Sequence, residues 1–439
     1  MRRIDTLIEA AWVIPVEPAG VVLADHAVAI DKGRIVAVMP SAQAAKEFDA
    51  ARRIPLRDHA LIPGLVNLHG HAAMSLLRGI ADDQPLMAWL NEHVWPAEAK
   101  HVSDEFVYDG SVLAIAEMLR GGVTCMNDMY FFPEATARAA LATGMRASLG
   151  IVAFEFPSAY APDAAGYLSK GLATRDTYRD EPLLSFCLAP HAPYTVSDAT
   201  FARIVTYAEE LDAPIHMHVH ETREEIEQGI AQHGVRPIER LRHLGIVGPR
   251  LIAVHAVHLD ENEIALFARE GVSVAHCPSS NLKLASGIAP VSSLVAQGVN
   301  VGLGTDGAAS NNRLDVWTEL RTAALLAKGA SGDPRAVDAS AALRMATLDG
   351  ARAIGLDAHI GSIVVGKSAD LTAVELSSLE TLPCFDPVSH LAYCAGREHV
   401  THVWVEGRML LEERHLATID AMEIQAKARW WHKKIQDRA

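Results

Sequence analysis

The sequence predicts a (β/α)₈ barrel carrying a small β domain assembled from both chain ends, and three observations lead there. In the middle of the chain, eight apolar strand-like runs alternate with helix-like segments, the pattern of a parallel sheet wrapped by helices. Those runs are close to continuously apolar, as strands covered on both faces must be. At the two ends, short runs alternate apolar with polar residues, too few at either end to enclose a core alone.

The chain begins with Thr6-Leu7-Ile8 and Trp12-Val13-Ile14, then Ala27-Val28-Ala29-Ile30 and Ile35-Val36-Ala37-Val38 around an Asp31-Lys32-Gly33 turn signal. The same texture returns in Ile363-Val364-Val365, Leu371-Thr372-Ala373-Val374 and His402-Val403-Trp404-Val405, the last meeting a Glu406-Gly407 turn. Residues 1–61 and 360–439 are therefore assigned to one β-sandwich domain with a C-terminal helix appended, and 62–359 to the barrel.

The barrel strands are expected at 61–71, 122–128, 146–152, 183–191, 214–218, 251–255, 272–276 and 299–306. Between them, Ser103 opens an apolar-periodic run that stops at Gly121-Gly122. Ser197 is placed to cap Phe201 to Leu211, and Thr222-x-x-Glu225 reads as a capping box.

Composition narrows the function classes. A chain of 439 residues, half of them hydrophobic, can bury a large core. Its net charge of −15 and lack of any basic run argue against nucleic acid or an anionic membrane as partner. Five scattered cysteines with no Cys-x-x-Cys indicate neither a disulfide framework nor a thiolate zinc site. No apolar run approaches the ~20 residues of a membrane span, and Met1-Arg2-Arg3 is followed by Asp5 and Glu9 rather than a signal-peptide core. A cytoplasmic enzyme is expected.

The chemistry collects at the strand ends, which form the active-site face of this fold. His69 and His71 close the first run two residues apart, so alternation puts both imidazoles on one face. The fifth run ends His216-Met217-His218-Val219-His220-Glu221, and spacing alone does not choose among its three histidines. The sixth supplies His255, with His258 close behind, and the eighth supplies Asp306. A mononuclear catalytic zinc asks for three or four nitrogen and oxygen ligands with one position open to water. His69, His71, one histidine of the fifth strand and Asp306 meet that need.

These residues resemble the amidohydrolase superfamily, in its branch of mononuclear aminohydrolases. The resemblance rests on Pro63-Gly64-Leu65-Val66-Asn67-Leu68-His69-Gly70-His71, His218-Val219-His220-Glu221-Thr222, Val254-His255, His276-Cys277-Pro278-Ser279-Ser280-Asn281, Gly304-Thr305-Asp306-Gly307 and Gly366-Lys367-Ser368-Ala369-Asp370-Leu371. It implies a TIM barrel and one Zn²⁺ (Fe²⁺ being the alternative) on His69, His71, His218 and Asp306. It also implies Glu221, His255 and Asp306 as the catalytic groups.

Trp89-Leu90, Pro96-Ala97-Glu98 and Pro190-His191-Ala192-Pro193-Tyr194-Thr195 further resemble the methylthioadenosine/S-adenosylhomocysteine deaminases. That likeness implies that Glu98 holds the ribose hydroxyls and His191 contacts the nucleoside, alongside Glu221 and Asp306. Two acceptor oxygens suit a cis-diol. Trp89 and Trp95 are candidates to line the pocket. The stretch Ile151 to Pro162 departs from members that take S-adenosylhomocysteine well: it holds no arginine, and Glu155 has the wrong sign. A neutral 5′ substituent, as in methylthioadenosine or adenosine, is therefore expected.

Other readings fit less well. Gly302 to Gly307 spells the dinucleotide fingerprint, but Asp306 inside that loop would repel a pyrophosphate. The Pro-Cys-x-x-Cys of cytidine-type deaminases is missing. Leu188 to Thr195 holds no lysine to bridge two metals. A triazine or guanine-type aminohydrolase is the nearest rival. A non-catalytic binding protein on the same scaffold would be expected to have lost ligands, and none is lost. A small-molecule nucleoside is the expected partner, with a homo-oligomer as the expected assembly.

Overall fold

All eight central runs contribute a strand to one parallel sheet in the computed structural model, which describes residues 1–436, although Leu61–Pro63, read as the start of the first run, pair in the other sheet. In chain order they are β1 (Leu65–Gly70), β2 (Val123–Asp128), β3 (Arg146–Ala153), β4 (Leu184–Pro190), β5 (Ile215–Val219), β6 (Leu251–His255), β7 (Ser273–His276) and β8 (Asn300–Leu303). Each pairs with its sequence neighbours, and helices pack outside. β1, β2, β3, β5, β6 and β7 are buried along their whole length, which explains their unbroken apolar character.

Closure between β8 and β1 falls to side chains and loop backbone. Asn67 accepts from the Thr305 amide (2.9 Å) and donates to Thr305 Oγ1 (2.8 Å), and the Asp306 amide donates to the His69 carbonyl (3.0 Å). Gly304 makes the approach possible, since a Cβ there would lie 2.8 Å from the His69 backbone nitrogen.

The two chain ends form a second sheet of eight strands, and its central pairing joins N-terminal to C-terminal sequence. Phe48–Pro63 runs parallel to Arg2–Val13 on one side and antiparallel to Leu371–Glu375 on the other. Leu23–Asp31 and Arg34–Pro40 extend it one way as the expected hairpin, turning at Lys32 and Gly33, both at positive φ. Val400–Val405, Arg408–Glu412 and His415–Leu416 extend it the other way. The sheet curls into a small sandwich around Ile8, Val28, Ile54, Leu371 and Trp404. Arg146 of β3 ties it to the barrel: its guanidinium donates to Asp370 (2.8 Å), both side chains being buried.

Four details differ from the sequence reading. The runs at Thr6 and Trp12 are one long strand, and Phe48–Pro63, interrupted by Arg52, Arg53, Arg57 and Asp58, gave no alternation to read. Ile363-Val364-Val365 is not a strand; Ile363 is buried and bonds the Pro15 carbonyl from a loop. The C-terminal helix Ala421–Gln436 lies on the barrel helix Asp104–Arg120, where buried Asp109 accepts from Lys427 Nζ (2.7 Å) and Trp431 Nε1 (3.0 Å). Among the described residues, no helix is long and apolar enough to cross a membrane.

Candidate active site

At the C-terminal rim of the barrel the chain leaves its strands through residues in the left-handed region: His220 after β5, His255 ending β6 and Asp306 after β8. Non-glycine residues there are uncommon and concentrate at functional sites. These turns swing polar side chains over the barrel mouth.

Asp306 meets three histidines from the ends of β1 and β5 there. One donor atom from each of His69, His71, His218 and Asp306 lies within 4.8 Å of the others. Both His69 Nε2 and His71 Nε2 stand 3.2 Å from Asp306 Oδ1. Each imidazole is oriented through its other nitrogen. His71 Nδ1 donates to the Met129 carbonyl (2.6 Å), His218 Nδ1 donates to the His191 carbonyl (2.8 Å), and His69 Nδ1 meets His216 Nε2 (2.9 Å). That leaves Nε2 of all three for a ligand. Asp306 Oδ2 accepts from Ser280 Oγ and Ser310 Oγ, both at 2.6 Å. Three imidazoles and a carboxylate, with their outer nitrogens and oxygen already bonded, make a donor set that fits one zinc-like cation.

Two more groups stand beside this cluster. His255 donates through Nδ1 to Asn281 Oδ1 (2.8 Å), and its Nε2 is 3.8 Å from Glu221 Oε2. Burial is the main force raising the Glu221 carboxyl above its ordinary range, against the pull of His255. The capping box read at Thr222 is only half formed. Thr222 does cap the helix Arg223–His233, but Glu225 turns the other way and accepts from the amides of His220 and Glu221 at 2.9 Å each. A residue read as a helix cap thus holds the backbone that carries Glu221.

Above the cluster opens a cavity of about 320 Å³, lined by His71, His218, Glu221, His255 and Asp306 at one end. Its roof is the segment Leu86–His101, two short helices with a π-type turn between them, which contributes Trp89, Trp95 and Glu98. Asp82, just before it, accepts from Lys283 Nζ (2.6 Å) and Asn312 Nδ2 (2.9 Å), tying the roof to the loops after β7 and β8. Tyr130 OH donates to Glu98 Oε1 (2.6 Å). Burial pushes the Glu98 carboxyl up to about 7, with the Tyr130 hydrogen bond and His71 pulling it down.

His191 stacks on Phe154 (4.8 Å between ring centres), and its Nδ1 is bonded to Thr195 Oγ1 (3.1 Å). Burial first, then the imidazoles around it, lowers its pKa to about 3. Every predicted site residue but one, Trp89 included, therefore lines one cavity, and the exception, His69, is fully buried beneath it against His71, His218 and Asp306.

Some roles were not foreseen. Tyr130, Ser280, Ser310, Asn281 and Glu225 act by orienting others, and two of them, Ser280 and Asn281, lay inside a quoted motif without an assigned purpose. Glu155 corrects an argument. Its carboxylate accepts from Ser197 N (3.0 Å) and Thr200 Oγ1 (2.7 Å) at the start of the helix Asp198–Leu211, and it does not line the cavity. Its sign therefore has no bearing on the ligand. What does bear on it is that Phe154, Phe156, Pro157, Ser158 and Ala159 line this side, and no arginine or lysine among the described residues is found in the lining.

Residues 60–410 match the amidohydrolase family. A 5-methylthioadenosine/S-adenosylhomocysteine deaminase of Teredinibacter turnerae is 48% identical over 432 residues, covering 98% of each chain. An adenosine deaminase from Xanthomonas campestris, solved with bound zinc, is 52% identical and superposes with a TM-score of 0.98 over 99% of both chains. Atrazine chlorohydrolase TrzN from Arthrobacter aurescens, solved with zinc, shares the architecture at 25% identity and a TM-score of 0.90, covering 97% of this chain and all of that one.

Proposed function

The chain belongs to the amidohydrolase family, and we propose that it hydrolytically removes the 6-amino group of an adenine nucleoside. 5′-Methylthioadenosine, yielding 5′-methylthioinosine, is the preferred substrate in this reading, ahead of adenosine and S-adenosylhomocysteine. The protein is an aminohydrolase, and a single zinc ion is its cofactor.

His69, His71, His218 and Asp306 would hold the ion. When bound, it brings the ionisation of water from a pKa of 15.7 towards ~7. The remaining steps belong to the protein's own side chains. Asp306 accepts the proton given up by the attacking water. His255, fixed by Asn281, orients that water through Nε2. Glu221, whose burial favours the protonated form, donates to purine N1 and so makes C6 open to addition. Asp306 then returns its proton to the amino nitrogen, the C6 hydroxyl gives its proton to Glu221, and collapse of the tetrahedral C6 to a carbonyl expels ammonia. At the far wall Glu98 accepts from the ribose diol, one oxygen already steadied by Tyr130, while His191 contacts the nucleoside and Trp89 contributes apolar surface.

The observation carrying this choice is the polarity of the cavity. Among the described residues, Glu98 is the only carboxylate of the lining away from the cluster, and no arginine or lysine joins it, which suits a neutral, diol-bearing ligand with an apolar tail. A triazine has no diol to engage Glu98. The same reading makes the enzyme a cytoplasmic homo-oligomer; its five free cysteines suit a reducing compartment. Ammonia release from zinc-loaded enzyme should be measured with methylthioadenosine, adenosine, S-adenosylhomocysteine, guanine and a chlorotriazine. Methylthioadenosine should give the highest kcat/KM; a preference for guanine or the triazine would overturn the proposal.

A further inference from the structure

We infer that His216 is a positioning residue that sets His69 to bind metal through Nε2. A neutral imidazole has one donor and one acceptor nitrogen. To offer Nε2 to a cation, His69 must carry its proton on Nδ1. That N–H points at His216 Nε2, 2.9 Å away, so His216 has to be the acceptor and its own proton has to sit on Nδ1.

The consequence is visible independently. His216 Nδ1 is buried and has no hydrogen-bond partner among the described residues, on a side chain with no exposed surface. A native structure seldom leaves such a donor unpaired, and the arrangement makes sense if the opposite nitrogen is needed. His71 and His218 get the same service from backbone carbonyls, which accept whatever the side chain is. His69 alone of the three imidazole ligands leans on a side chain, so its support can be removed by substitution. Strand geometry adds the reason His216 does not itself ligate: it shares a face with His218 on β5 but sits two residues deeper, about 6.6 Å along the strand.

The inference rests on the zinc site described above, and one titration separates the two. Full-length apoprotein is titrated with zinc against a competing chelator, for wild type, H216L and H216Q. H216L should bind zinc about 10- to 100-fold more weakly while its far-UV circular dichroism matches wild type, because His69 Nδ1 is left without an acceptor. H216Q, whose amide oxygen can accept from His69 Nδ1, should return within a few-fold of wild type, and its cobalt(II) absorption spectrum should match. If H216L does not fold, H216N, too short to reach His69, takes its place with the same expectation. Equal zinc affinity in all variants would overturn the role of His216, as would an H216Q defect equal to that of H216L, which would mean packing alone. Failure of wild type to bind zinc would instead refute the site.

Discussion

The two ends of the cavity are built on opposite plans. At the reactive end nearly every group is held by another: Asp306 by two serines, His71 and His218 by carbonyls, His255 by Asn281, and the Glu221 backbone by Glu225. At the roof and far wall the carboxylate of Glu98 has one protein partner, Tyr130, within a largely apolar surround. A reaction that moves protons between fixed atoms tolerates little misplacement, so its groups are over-determined. Substrate choice needs less: a few polar contacts and the exclusion of what does not fit. In the proposed function the first end carries the reaction class, and the second carries the substrate.

Substitutions should sort along that line. His69→Ala strikes the reactive end hardest: zinc content by mass spectrometry and ammonia release should vanish together, and full zinc occupancy would contradict the assignment. Glu221→Gln should lower kcat by about 10²–10⁴-fold with zinc content unchanged. An active Glu221→Gln enzyme would remove Glu221 from the chemistry.

At the wall, Glu98→Gln should raise KM about 10- to 100-fold, the loss of a hydrogen bond to a charged group, with little change in kcat. The effect should largely disappear with a 2′-deoxynucleoside. The pH profile offers the same test without mutation. Because the Glu98 pKa is raised to about 7, the carboxylate proposed to bind the diol is present above that pH and is lost as pH falls through it. KM should therefore climb below about pH 7 in wild type and stay flat in Glu98→Gln. The smallest expected effect is a change of preference. Ala159→Arg places a cation in the exposed part of the lining and should shift kcat/KM towards a carboxylate-bearing 5′ substituent by about tenfold, the worth of one charge-assisted hydrogen bond.

What the sequence revealed followed from local geometry. Alternation placed His69 and His71 side by side, and the eightfold strand–helix rhythm announced the barrel. The same rule placed His216, His218 and His220 on one face and stopped there. Depth in the barrel excludes His216, and a left-handed backbone turns His220 out of the pleat; neither is written in the spacing. Supporting residues were hidden for a related reason. Glu225 is four residues from Glu221 and looked like a helix cap, while Ser310 and Ser280 serve Asp306 only because the loops after β7 and β8 fold over it. Asp370, in the Gly366 to Leu371 motif, has its purpose 224 residues away at Arg146.

The join between the chain ends has a consequence for biosynthesis. A ribosome must make Phe48–Pro63 more than 300 residues before its partner Leu371–Glu375, and β1 long before β8, on which it closes. Neither sheet can be completed until most of the polypeptide has emerged. Until then apolar strand edges stay unpaired, the condition under which chains associate wrongly. The nascent protein is thus at its most vulnerable in the middle of its synthesis, and yield should respond more to elongation rate and chaperone supply than to the stability of the finished fold.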